Sequence, residues 1–168
     1  VKARSTRTYL LLHTPEPVLA VNAFAIKALE QLYADSRSLH VQDHLPDYTI
    51  WISQEEDIHH FVQQVPQLAW DMLEHAEEPL ELLLSSRKYQ PPFEDTATEI
   101  SLRLLTQPRL RQMVRNTGPL ITFRLPPGDT AAAEKLAEAV ENMHEPSYPY
   151  GKVKTMKVFP DESFTFLR

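Results

Sequence analysis

The sequence predicts an α/β fold built as one domain. Strand-like runs of apolar and β-branched residues alternate with amphipathic helical stripes along the whole chain. No repeat, low-complexity tract or linker divides it. A chain of 168 residues, 42% of them hydrophobic, is also long enough to bury one substantial core.

Residues 8–13 (TYLLLH) form a short apolar run suited to a buried strand, which Pro15 and Pro17 are expected to stop. Residues 23–34 carry Phe24, Ile26, Ala28, Leu29, Leu32 and Tyr33 at helical spacing, and the polar stretch 35–45 reads as irregular. Residues 48–52 (YTIWI) are β-branched and aromatic, hence a strand. Ser53 with Glu56 three residues on has the form of a capping box opening a helix through Val62. Pro66 begins another helix, with Leu68, Ala69, Met72, Leu73 and Ala76 on its apolar side.

Residues 80–84 and 99–104 are strand-like, joined by the loop RKYQPPFEDTAT. Residues 108–116 make a short basic helix that Gly118 should end. The stretch GPLITFRLPPGDT then reads as a buried strand, 120–125, a double-proline break and a helix restart at Asp129. Residues 130–143 have a clean amphipathic pattern, and 144–151 form a loop rich in Pro and Tyr. Residues 152–159 and 164–167 look like a closing hairpin around Pro160 and Asp161.

Composition excludes several chemistries. With no cysteine there are no disulfides, thiolate nucleophiles or cysteine-based zinc sites. With glycine only at 118, 128 and 151 there is no Walker-type loop and no GxGxxG, so a phosphate would be held by side chains or a helix N-terminus. The formal net charge of −6 gives no general pull toward nucleic acid or an anionic membrane. Apolar runs such as 80–84 fall far below the ~20 residues of a bilayer span. The basic start, 1–7, precedes too short an apolar run, 9–12, for a signal peptide. A cytoplasmic domain without a membrane partner is the expectation.

Individual residues offer few catalytic patterns. His40 and His44 are four apart, but Pro46 and the lack of a helical stripe argue against a zinc pair there, and His59 and His60 are adjacent and diverge on a helix. No metal site is expected. Ser85 and Ser86 follow a strand without the GxSxG elbow of a hydrolase. Glu55 and Glu56 suit a helix start, whereas Glu77 and Glu78 near a helix end have no evident role. Arg109, Arg111 and Arg115 spread around one helix, with Arg103 on the strand before it and Arg124 on the strand after. Two readings stand: an anion-binding patch, since guanidinium suits bidentate phosphate contacts, or a solubilising surface paired with carboxylates.

Read in order, the segments resemble the YrdC/YciO-type family, the threonylcarbamoyl-AMP synthases of tRNA modification and their relatives. LLLHTPEPVLAV stands where that family has its first strand and Pro-Thr-acidic-Thr motif. AIKALEQLYADSRS resembles its helix ending in Lys-x-Arg, and DYTIWISQEEDIHHFV its next strand and helix. AEEPLELLLSS resembles the strand led by Trp-Pro-Gly-Pro. TEISLRLLTQPRLRQMVRNTGPLITF resembles the run from Arg-Val-Pro to Gly-Pro-Leu, and FPDESFTFLR the closing strand.

The resemblance implies a single YrdC-like domain over 1–168, a twisted mixed β-sheet with flanking helices around a concave, positively charged cavity. The helix that usually precedes the family's first strand is expected to be missing. Active members use ATP, L-threonine and bicarbonate, usually with Mg²⁺, and serve tRNA through protein partners; the family is also described as binding tRNA or double-stranded RNA. Here the motifs are eroded. Arg37 stands where the family has Lys-x-Arg, with the lysine gone; where the family has Ser-x-Asn the chain reads Thr122, Phe123, Arg124, Leu125, Pro126, without that pair and with Thr122 matching an earlier hydroxyl. Glu16 matches the acidic residue of the first motif, while Arg103 is the best-kept position.

The function implied is a divergent, catalytically impaired YrdC-like domain binding nucleotide or RNA phosphate through Arg37, Arg103, Thr122, Arg124 and Glu16. The alternatives are an active threonylcarbamoyl-AMP synthase-like nucleotidyltransferase, with ATP and Mg²⁺, or a non-catalytic protein-interaction domain.

Overall fold

A computed structural model describes residues 10–13, 17–39, 48–75, 80–92, 98–124, 139–142 and 154–167. Its strands are Leu10–His13 (β1), Pro17–Asn22 (β2), Tyr48–Ile52 (β3), Leu80–Leu84 (β4) and Ile100–Leu104 (β5). Leu120–Arg124 (β6), Ala139–Asn142 (β7), Lys154–Val158 (β8) and Phe164–Phe166 (β9) complete one mixed sheet. Its order is β7-β1-β2-β6-β3-β5-β4-β8-β9. β1 with β7, β3 with β5, and β4 with β8 run parallel, and the other neighbours antiparallel. The helices are Ile26–Leu39 (α1), Gln67–His75 (α2) and Pro108–Thr117 (α3).

Side chains alternate along a strand, so register sorts the residues between two faces. One face is apolar throughout: Leu19 and Val21, Ile50 and Ile52, Leu82 and Leu84, Ile121 and Phe123 are all buried there. Leu29 and Leu32 of α1 and Ala69 and Leu73 of α2 close over it. On the other face α3 lays Leu110 and Val114, one helical turn apart, against Val18, Ala20, Trp51 and Leu120. The Gln107 side chain caps α3 by accepting from the amide of Leu110, and Pro108 begins its first turn. Gly118 ends it at φ 84° and ψ 174°, a region essentially closed to other residues, and a Cβ there would sit 3.0 Å from Asn22 Nδ2.

Tyr89 packs into the main core and donates its hydroxyl to the Ala23 carbonyl. Burial pushes its phenol from 10.0 up to about 12, against the opposing pull of Arg87. Between pH 10 and 12 the unfolded chain ionises this group while the folded chain keeps the proton, so its contribution to stability is full below 10 and is lost through 12. Urea titrations across that window should show wild type losing more stability than Tyr89→Phe.

The structure departs from the sequence expectations at four places. Pro17 does not end the first strand region; it opens β2, which pairs antiparallel with β1, and a first strand position tolerates a missing N–H. α1 runs on to Leu39, and Phe24 precedes it, 51% exposed, instead of joining its buried stripe. Ser53 does not cap a helix: it continues the alternation of β3 into a buried position, and the turn that follows, Glu55–His60, is a 3-10 helix without a side-chain cap. Ala139–Asn142, expected at the end of a helix, is β7, where pairing with β1 overrides local helical preference. The earlier part of that expected helix, 129–138, lies outside the described residues, as does the loop 144–151.

Candidate functional site

Beyond the area covered by α3, the second face of the sheet is polar. The buried polar and charged side chains among the described residues are Thr49, Ser53, Glu81, Arg103, Thr122 and Thr155. Register places five of them on this one face: Thr49 pairs with Thr122, Trp51 with Arg103, Arg103 with Glu81, and Glu81 with Thr155, while Ser53 follows just after β3 ends. A sheet could bury aliphatic residues at these positions more cheaply, because each polar group must find a partner once out of water. Their concentration on one face makes it the candidate site.

Arg103 stands at the centre, 5% exposed. Its guanidinium carbon lies 5.1 Å from the centroid of Trp51, within cation–π range. On its other side Glu81, 3% exposed, is the directly opposite residue of β4, so opposite charges are cross-strand neighbours. Thr155 Oγ1 reaches Glu81 Oε2 at 3.4 Å. Thr122 donates its hydroxyl to the Thr49 carbonyl at 2.8 Å, and Thr49 Oγ1 reaches Ser101 Oγ at 3.5 Å. At the rim, Lys157 Nζ and Glu99 Oε1 form an ion pair at 3.0 Å, both about one-third exposed.

The structure therefore brings Arg103 and Thr122 onto one face. Arg124 closes β6 opposite Val18, and Arg37 lies in the final turns of α1; for these two the description stops at the backbone. Glu16 lies outside the described residues. Sequence reasoning missed Glu81, Thr155, Thr49, Ser101, Trp51 and Lys157. A signal was present: Glu99, Ser101 and Arg103, or Thr155 and Lys157, recur at every second position of their strands.

An open cavity of about 600 Å³ lies at the carboxyl ends of the parallel strands β3 and β5, with Ser53 in its lining. Arg111 and Arg115 of α3 share its wall with Glu55, Glu56 and Glu74, and Arg111 Nη2 is 3.4 Å from the Ser53 carbonyl. Arg109 is exposed. The basic helix thus divides between solvent and a mixed-charge wall whose lining includes neither Arg103 nor Thr122. His59 and His60 are exposed, their rings against Trp70 and Phe24. Among the described residues no group of three or more His, Cys, Asp or Glu is arranged to hold a metal ion; His40 and His44 lie outside them.

No family model and no curated protein sequence matches the chain. Solved structures do. Sua5 of P. abyssi, determined in complex with L-threonine, is 14% identical, with 98% of this chain and 51% of that one covered at a TM-score of 0.72. YciO of E. coli is 14% identical over 96% of this chain and 82% of that one, TM-score 0.65. Full-length HypF in its phosphate- and nucleotide-bound form is 10% identical over 95% of this chain and 26% of that one, TM-score 0.61. The chain spans about half the length of the Sua5 structures it matches. With nearly the whole chain superposing on Sua5 and YciO, the mixed sheet and its flanking helices are a YrdC-like fold.

Proposed function

We propose that this chain is a nucleotide-binding YrdC-like domain, using the polar sheet face around Arg103, that does not make threonylcarbamoyl-AMP. The observation that carries this reading is the gathering of the buried polar residues on one face, with a guanidinium at its centre. Structures of the same fold are described with L-threonine and with phosphate and nucleotide, which supports a small polar ligand. Arg124 and Arg37 are the further cations proposed for the phosphates, with Thr122 and Glu16 as the remaining positions matched to the family.

Impairment is argued from how the retained residues are engaged. Thr122 spends its proton on the Thr49 carbonyl, and Glu81 opposes the charge of Arg103. Negative charge developing on phosphate oxygens needs several preorganised donors aimed at it. The net charge of −6 gives no general pull toward RNA, whose affinity depends on many phosphate contacts.

Thermal unfolding with millimolar ATP and Mg²⁺, with and without L-threonine and bicarbonate, tests the proposal. A ligand at 100 times its dissociation constant adds about 2.7 kcal/mol, or about 5–10 °C for a chain of this size. The expected result is such a shift with no release of pyrophosphate. Pyrophosphate formed only with L-threonine and bicarbonate would establish the synthase alternative. No shift in any mixture would remove nucleotide binding and leave a protein-interaction domain. No helix among the described residues is long and apolar enough to cross a membrane.

A further inference from the structure

We propose that the cleft at the carboxyl ends of β3 and β5 is a second binding site. Its ligand is a small molecule carrying two cationic groups and one carboxylate, as the basic amino acids do. The fold makes a crevice there for a topological reason. β3 and β5 are parallel neighbours, so both finish at the same end of the sheet. The chain leaving β3 passes to the main-core face, where α2 packs Ala69 and Leu73. The chain leaving β5 passes to the opposite face, where α3 packs Leu110 and Val114. Adjacent parallel strands whose connections part to opposite faces leave an opening beyond their carboxyl ends, the usual place for a ligand in an open α/β sheet. The opening measures about 600 Å³, within the range of small-molecule sites.

The charges that line it come from both sides of the sheet. α3 supplies Arg111 and Arg115, one helical turn apart. The turn after β3 supplies Glu55 and Glu56, and α2 supplies Glu74. Among the described residues, none of these five side chains is in an ion pair with another. Opposite charges that share an opening without pairing suit a molecule that carries both signs. The opening is also set apart from the phosphate position proposed above for Arg124. β6 runs antiparallel to β3 and pairs Phe123 with Tyr48, so Arg124 ends β6 beside the start of β3, at the other end of the sheet.

The lining selects the ligand by charge. A carboxylate suits the two guanidiniums, which offer bidentate donors. Ammonium or guanidinium groups suit the three carboxylates. Three carboxylates against two guanidiniums favour one more cation than anion on the ligand, which is the charge of lysine or arginine. The same carboxylates repel a phosphate or nucleotide. Leu73 and Leu105, buried residues of the lining, offer apolar surface to the aliphatic stem between the charged ends.

Calorimetric titration with L-lysine and with L-arginine tests the proposal. At least one should bind saturably. Cadaverine, which is lysine without its carboxylate, should bind about tenfold more weakly than L-lysine or L-arginine, whichever is tighter. The double variants Arg111→Gln/Arg115→Gln and Glu55→Gln/Glu56→Gln change only exposed or half-buried positions, so both should stay folded by circular dichroism. Each should weaken amino-acid binding about tenfold. ATP should leave that binding unchanged, because the nucleotide is assigned to the polar face around Arg103. No saturable binding of either amino acid, an affinity unchanged in either double variant, or cadaverine binding as tightly would each overturn the proposal. Displacement of the amino acid by ATP would place it on the polar face and overturn the proposal as well.

Discussion

Arg103→Ala should destabilise the fold by about 3–5 kcal/mol, the range seen when one partner of a buried opposite-charge pair is removed. The cost arises because Glu81, 3% exposed and directly across the sheet, would be left buried without the cation that faces it. The contact with Trp51 goes too. Urea unfolding of Arg103→Ala, Glu81→Leu and the double variant Arg103→Leu/Glu81→Leu checks the explanation. The double change should cost far less than the sum of the single ones, because it removes both charges together. Additive losses would mean that the two residues act separately. For the site, the comparison that counts is nucleotide affinity in the double variant, whose fold is retained: loss of the ATP-induced shift there ties Arg103 to binding.

Phe61→Ala carries the other large effect, about 3–5 kcal/mol, as expected for a fully buried aromatic ring. Its ring meets Tyr89 edge to face at 5.2 Å and stacks on Phe24 at 5.5 Å. Its carbonyl accepts from the amides of Lys88 and Tyr89, so the segment after β4 is tied to the 3-10 turn through this residue. Phe61→Leu should recover much of the loss by refilling the volume, whereas the backbone bonds are common to all three proteins. Thermal unfolding of the three should rank wild type above leucine above alanine. If Phe61→Ala unfolds with wild type, the ring is not part of the cooperative core.

The central strands were legible because their residues leave little choice. YTIWI is β3 from end to end, and LELLL is β4, since β-branched and apolar runs of that length between turn residues have no helical alternative. α3 was legible through Pro108 at its start and Gly118 after its end, two positions whose backbone requirements are local. β2 and β7 were not. PVLAVN and AVEN carry no strand signal strong enough to overrule a leading proline or a helical pattern, and they are strands because β1 lies between them with hydrogen-bonding groups to satisfy.

The site divides in the same way. Arg103 was singled out on the sequence, and Thr122 through the family resemblance, and both lie on the polar face. Glu81 was invisible because its partner is 22 residues along the chain, and only the pairing of β4 with β5 sets them side by side. Conversely, the arginines of α3 were close to Arg103 in sequence, yet Arg111 and Arg115 line the cavity at the ends of β3 and β5, because Leu110 and Val114 take the side of α3 that packs on the sheet. The sequence by itself determined the alternation of strands and helices, the apolar faces, and the absence of thiol and glycine-loop chemistry, since all of these depend on residue type and local spacing. Only the tertiary structure decided strand order, which polar residues share a face, and that Phe164 and Phe166 are about half exposed on β9. Those outcomes depend on pairings between segments far apart in the chain, whose register no local pattern specifies.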